Sequence, residues 1–152
     1  MKSASFEYFS PKTKKEALEA LAAHGSDARI LAGGQSLVPL LNFRMARFRY
    51  LIDINEISEM SYIRCDDDTL CIGALTRYRT IETSPVVADA APLLSKATQW
   101  VGHLPVRTRG TLGGSLAHAD PASEYAAVTL ALDGPAVFHT KAGSGTLHAG
   151  AL

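Results

Sequence analysis

Two glycine pairs, Gly33–Gly34 and Gly113–Gly114, each stand beside serine or threonine hydroxyls and lead into a short apolar segment. Glycine lets the backbone take positive φ and approach a ligand closely. Consecutive amide N–H groups at such a turn can form a concavity that binds anions. Two such loops in one domain could clasp a dinucleotide from both sides. The spacing alone does not decide between this clasp and two ordinary tight turns.

Other phosphate and nucleophile motifs are absent from the sequence. There is no G-x-G-x-x-G after a strand, no Gly-Lys-Ser/Thr and no G-x-S-x-G, which excludes a Rossmann site, a P-loop and a serine elbow. His118 and Asp120 lack a third metal ligand nearby, so we expect a turn-capping aspartate and a partly exposed histidine. Cys65 and Cys71 match neither zinc nor iron–sulfur spacing. We therefore predict no metal site.

Bulk properties favour a globular domain with a small ligand or a protein partner. The 152 residues suffice for one core, and 15 basic residues balance 15 acidic ones, so neither nucleic acid nor an anionic membrane is an indicated partner. No run approaches the ~20 apolar residues that span a bilayer. No signal peptide is evident at Met1 to Ser10. The two cysteines are expected to be buried or without a chemical role, which is typical of proteins in a reducing compartment. We expect a cytoplasmic protein.

Local patterns predict helices and strands mixed along the chain, and therefore an α+β or mixed α/β class. Thr13 and Glu16 have the spacing of a capping box, and Gly25 is a natural helix stop. Trp100 is expected to pack inward and Ser123 to cap a helix. The predicted helices are 13–24, 37–42, 92–101 and 124–132, and the predicted strands are 28–31, 51–54, 62–65 and 70–72, with two more around 141–145.

At the two glycine segments the chain resembles the flavin subunits of the molybdenum hydroxylases, the family of xanthine dehydrogenase and aerobic carbon monoxide dehydrogenase. The resemblance rests on Ala32–Leu41 and Val106–Ser115, with support from Leu51–Asn55, Ile72–Thr76 and His118–Glu124. It extends over roughly residues 5 to 133. It implies an α+β FAD-binding fold of the vanillyl-alcohol oxidase type, in which a small N-terminal α/β lobe packs on a larger mixed lobe and FAD lies between them.

When the binding residues of the family are carried over by position, the resemblance implies three groups of FAD-binding residues in this chain. The first segment would hold the pyrophosphate through backbone amides, and the second would complete the clasp. Carboxylates after the second segment would lie near the adenosine ribose, and Thr76 is a weaker candidate from the Gly-Ala-Leu-Thr turn. The assigned residues are Ala32, Gly33, Gly34, Gln35, Ser36 and Leu37, then Thr111, Gly113, Gly114 and Ser115, and finally Asp120 and Glu124.

The resemblance also implies a role in electron transfer. In this family a molybdopterin-binding large subunit oxidises the substrate, and two 2Fe–2S clusters on a small subunit pass electrons to FAD and then to an external acceptor. Flavin carries such chemistry while protein supplies position and electrostatics. We therefore expect no catalytic acid or base in this chain.

The length of the chain leaves other functions open. We expect an N-terminal lobe at 1–55 and a second lobe at 56–152 that is incomplete, with the family's C-terminal domain absent. One alternative is a truncated assembly module that no longer binds FAD. The other is a self-contained flavoenzyme of the murein-precursor reductase type, which would need substrate-binding residues in a further domain.

Overall fold

The computed structural model describes residues 2–151, which contain two apolar cores, and the predicted lobes are used below as labels for the two parts of the chain. The first lobe contains a three-stranded parallel sheet in which the last strand lies between the other two. Its helix α1 is capped as predicted, because Thr13 Oγ1 accepts from the amide of Glu16 at 3.2 Å. Its elements are β1 (Glu7–Phe9), α1 (Lys14–His24), β2 (Ala28–Leu31), α2 (Leu37–Asn42) and β3 (Tyr50–Asp53).

The second lobe, as far as residue 151, combines two β-hairpins with six α-helices. One hairpin turns at Asp67–Asp68, between the predicted strands 62–65 and 70–72, and the other turns at Lys141–Ala142. Cys65 is exposed and Cys71 is half-buried. The elements are β4 (Ile63–Asp66), β5 (Thr69–Ile72), α3 (Tyr78–Thr83), α4 (Pro85–Ala90), α5 (Pro92–Thr98), α6 (Leu104–Arg107), α7 (Leu112–His118), α8 (Glu124–Ala131), β6 (Ala136–Thr140) and β7 (Gly143–Leu147).

Each lobe has its own apolar core. The first is built where α1 covers the sheet, and it also recruits Ile57 and Leu75 from beyond residue 55. The boundary after residue 55 therefore stays a prediction. The second core lies among α3, α4, α5 and α8. The members of the first are Ala17, Ala28, Ile52, Ile54, Ile57 and Leu75, and those of the second are Tyr78, Ile81, Val87, Ala91, Leu94, Tyr125 and Val128.

The inward packing predicted for Trp100 is wrong, since its side chain is 80% exposed. Helix α5 ends at Thr98, before the predicted end at 101, and its buried face is formed by Leu94, Ser95 and Thr98. At 3.6 residues per turn, Trp100 lies about 200° around the axis from Thr98. It therefore points away from the core.

Within residues 2–151, every helix is too short or too polar to cross a lipid bilayer. The α+β class is confirmed, as are most of the predicted elements. Strand β3 is shifted by one residue from its predicted bounds, 51–54, because Asn55 turns the chain by donating its amide to Asp53 Oδ1 at 2.9 Å.

Candidate functional site

The first glycine segment is an irregular turn between β2 and α2 that leaves its amides free. Gly34 has a φ of 71°, in the left-handed region. Within the described part of the chain, the backbone N–H groups of Gly33, Gly34, Gln35 and Ser36 donate to no protein acceptor. The Ser36 hydroxyl makes no capping bond either. Four consecutive donors at one turn suit an anion, and the binding role of these residues stays a prediction.

The second glycine segment is not a loop, and that part of the prediction is wrong. Gly113 and Gly114 lie in the first turn of α7, which Thr111 caps. Their amides already have protein acceptors, because Gly113 donates to Ala74 O at 2.9 Å and Gly114 to Thr111 Oγ1 at 3.3 Å. The amide of Ser115 donates to Thr111 O at 3.0 Å. The binding role of Thr111, Gly113, Gly114 and Ser115 stays a prediction, but backbone N–H groups do not supply it here.

The structure brings the two segments into direct contact. A Cβ on Gly33 would collide with the carbonyl oxygen of Arg109 and would lie 2.8 Å from Gly110 Cα. A Cβ on Gly114 would lie 3.7 Å from Ala32 Cβ. Real Cβ atoms do not approach backbone that closely, so glycine at position 33 is what allows the segments to touch.

An open cleft of about 450 Å³ lies where the segments meet. Its walls combine donors and a cation with an apolar side, a mixture typical of cofactor sites. Arg109 forms no ion pair with any residue from 2 to 151, so its charge is available to an anion. The lining residues are Gly33, Gly34, Gln35, Val38, Pro39, Pro105 and Arg109.

Three residues at this junction were missed by sequence reasoning: Asn55, Arg77 and Arg109. Arg77 donates to Arg109 O and to Asn55 Oδ1, each at 2.6 Å, and Asn55 Nδ2 donates to Ala32 O at 2.9 Å. Partial burial, followed by the nearby charge of Arg109, lowers the pKa of the Arg77 guanidinium. Asn55 and Arg109 stood within the motif stretches, and Arg77 directly follows one. Spacing along the chain did not reveal their contacts.

The second segment rests on a buried tyrosine. The ring of Tyr78 packs against Gly110, where a Cβ would have no room, and lies 4.8 Å from the ring of Tyr125. Burial raises the pKa of the Tyr78 hydroxyl, although a hydrogen bond from Ser115 partly opposes the shift. Burial also raises the pKa of Tyr125, whose hydroxyl lies 3.0 Å from Thr98 Oγ1. Both phenols therefore remain protonated at neutral pH and act as packing groups.

Thr76 does not line the cleft, and its approach to the cofactor stays a prediction. Its side chain is 1% exposed. Its hydroxyl donates to Tyr62 O at 2.9 Å and accepts from Tyr62 N at 3.2 Å. With both hydrogen-bonding capacities used inside the protein, Thr76 holds hairpin β4–β5 to the rest of the second lobe.

The two acidic candidates lie after the second segment. Asp120 is exposed and its Oδ1 accepts from the amide of Ala122 at 2.9 Å, which confirms the expected turn-capping aspartate. Glu124 is the first residue of α8 and is half-buried. Ser123 is the N-cap residue of α8, as predicted, but its side chain makes no capping bond, because its hydroxyl lies 2.8 Å from Ser115 Oγ. This contact joins α8 to α7, and the ribose role of both acids stays a prediction.

Comparison with known proteins agrees with this geometry. Residues 4–152 match the model of the FAD-binding domain in molybdopterin dehydrogenase. The fold and the glycine segments define a flavin-binding domain, and the chain belongs to this molybdopterin dehydrogenase family. The four free amides and the Arg109 charge fit the pyrophosphate of FAD.

Several curated relatives are close in sequence. The chain is 52% identical over 133 residues to the alpha subunit of the 6-hydroxypseudooxynicotine dehydrogenase complex of Paenarthrobacter nicotinovorans, covering 88% of this chain and 45% of the relative. It is 49% identical over 132 residues to the caffeine dehydrogenase subunit beta of Pseudomonas sp. strain CBB1, covering 87% and 45%. The chain thus spans about half the length of the curated relatives it matches.

Solved structures confirm the FAD-binding fold. Carbon monoxide dehydrogenase from Hydrogenophaga pseudoflava matches with a TM-score of 0.97 and 40% identity, over 99% of this chain and 52% of that one. Quinoline 2-oxidoreductase from Pseudomonas putida 86 matches with a TM-score of 0.94 and 40% identity, over 98% and 52%. The predicted family and fold are therefore confirmed.

Proposed function

We propose that this chain is the FAD-binding part of an electron-transfer subunit in a molybdopterin-dependent dehydrogenase. The observation that carries the proposal is a row of four amides, Gly33 to Ser36, that donate to no acceptor within residues 2–151, beside the Arg109 guanidinium, which forms no ion pair with those residues. Such a row of donors is suited to an anion, and FAD carries one in its pyrophosphate.

The residues of this chain bind and orient the flavin. The first segment, Ala32 to Leu37, holds the pyrophosphate through its amides and the Ser36 hydroxyl. Arg109 contributes charge from the second lobe. Bound FAD supplies the redox chemistry, receiving electrons and passing them to an external acceptor. The segment Thr111 to Ser115, with Asp120 and Glu124, completes the site on the side of the second lobe.

The partners of the complete enzyme are a molybdopterin-binding large subunit and a 2Fe–2S small subunit. The names of the relatives support this arrangement, since they include a dehydrogenase complex subunit and, at 42% identity, the carbon monoxide dehydrogenase medium chain of Hydrogenophaga pseudoflava. The substrate is selected by the large subunit, so this chain carries no catalytic acid or base.

Three observations test the proposal. The reading frames beside this gene are expected to encode a molybdopterin-binding and a 2Fe–2S protein, and the three products are expected to purify together with FAD. Flavin in that complex should be reduced when substrate is added. A colourless protein that releases no adenine nucleotide on heating would instead identify an assembly module without FAD.

A further inference from the structure

A chain of polar contacts joins the two glycine segments behind the cleft. Arg77 donates from one terminal nitrogen to Arg109 O and from the other to Asn55 Oδ1, each at 2.6 Å. Asn55 in turn donates from Nδ2 to Ala32 O at 2.9 Å. Two side chains therefore connect the carbonyl groups that immediately precede Gly33 and Gly110.

We propose that Arg77 is a positioning residue for FAD, which holds the four free amides of the first segment in register with Arg109. The proposal rests on the proposed pyrophosphate site at residues 32–37. Arg77 lies behind the segments and acts through Asn55 and the Arg109 carbonyl. Its effect on binding is therefore exerted on the backbone that contacts the ligand.

The geometry requires the forked guanidinium and not merely a positive charge. The two bonds leave different terminal nitrogens of Arg77 and end on groups from different lobes. A lysine ammonium is a single point on a flexible stem and lacks this planar fork. Lysine at position 77 would keep the charge but lose the bridge.

Asn55 is itself held in place, which makes the bridge rigid. Asp53 Oδ1 accepts from both the backbone and the side-chain amide of Asn55. Asp53 Oδ2 also accepts from the Tyr8 hydroxyl at 2.5 Å. The side chain that links Arg77 to the first segment is therefore fixed by the end of β3 and by β1.

The electrostatics favour an anion at this junction. Arg77 and Arg109 are close enough to repel, and Asp53 offsets only part of that repulsion. A diphosphate bound between the free amides and Arg109 would relieve it. Like charges held together by the fold therefore favour the doubly charged pyrophosphate of FAD over ligands without one.

The test compares R77K and R77Q with a matched control, R79Q, on the same helix. Arg79 pairs with Glu82 and does not line the cleft. Affinity for FAD and FMN is measured by fluorescence quenching, and stability without flavin by urea unfolding. If the displaced amides lose the equivalent of one charge-assisted hydrogen bond to the ligand, the affinity falls by a factor of about 10 or more. R77K and R77Q are each expected to weaken FAD binding by this factor and to lower the FAD to FMN preference, while R79Q leaves both unchanged.

Four results would separate the possibilities. If R77K bound FAD with wild-type affinity, the positioning role would be overturned. It would also be overturned if the variants lost affinity for FAD and for FMN equally, in proportion to their loss of folding stability. If the Arg77 variants do not fold, N55A removes the bond to Ala32 and is expected to lower the same FAD to FMN preference. An unchanged preference in N55A would overturn the role as well. A wild-type chain that binds no FAD would instead refute the proposed function.

Discussion

Replacing Gly33 with alanine would drive a methyl group into the contact between the two glycine segments. The three nearest atoms are all backbone: Arg109 O, Gly110 Cα at 2.8 Å and Arg109 C at 3.0 Å. Backbone atoms cannot rotate away as a flexible side chain can. The segments must therefore separate, and the four free amides must move relative to Arg109.

The size of the effect follows from overpacking. Inserting a methyl group into a well-packed contact costs about 1–3 kcal/mol. In a domain of this size each kcal/mol lowers Tm by roughly 2–4 °C. We therefore expect G33A to lower both the free energy of unfolding, measured by urea denaturation followed by circular dichroism, and the affinity for FAD.

Gly134 provides the matched control, because a Cβ there would meet its nearest neighbour, Thr129 Cγ2, at an ordinary 3.5 Å. G134A is expected to retain the stability and the FAD affinity of the wild type. If G33A and G134A proved equally stable and bound FAD equally well, the close contact of the two segments would not be the reason for glycine at position 33.

Three further variants test other parts of the account. S36A should weaken FAD binding by about 1 kcal/mol in a titration, as one hydrogen bond among several. Hydrogen bonding from Arg79 and the charge of Arg107 lower the pKa of Glu82. The contribution of Glu82 to stability is therefore present above the ordinary pKa of 4.5 and is lost as the pH falls below it. In E82Q the free energy of unfolding should depend less on pH in this acid range. W100S should change the free energy of unfolding, measured by urea denaturation, by no more than about 0.5 kcal/mol, because substitutions at exposed positions usually have effects this small.

Local sequence signals predicted the first lobe well. The bounds of α1 followed from Thr13, Glu16 and Gly25, because a cap and a stop act within one turn of the backbone. Strand β2 and helix α2 also have their predicted bounds, with the first glycine segment as the turn between them. These features depend on residues that are neighbours in the chain.

Features that depend on distant partners were not predicted. The second glycine pair lies in the first turn of a helix that Thr111 caps, and Ala74 approaches Gly113 closely enough to require glycine there. The link from Asn55 through Arg77 to Arg109 joins residues 22 and 32 positions apart. No periodicity of helix or strand encodes such contacts, so only the folded structure reveals them.

The central claim is that the junction of the two segments binds a pyrophosphate. Fluorescence titration of the chain with FAD and with FMN tests it most directly, because FMN has no pyrophosphate. We expect a clear preference for FAD, of about 10-fold or more if the added phosphate makes even one charge-assisted hydrogen bond. Equal affinity for the two flavins would contradict it.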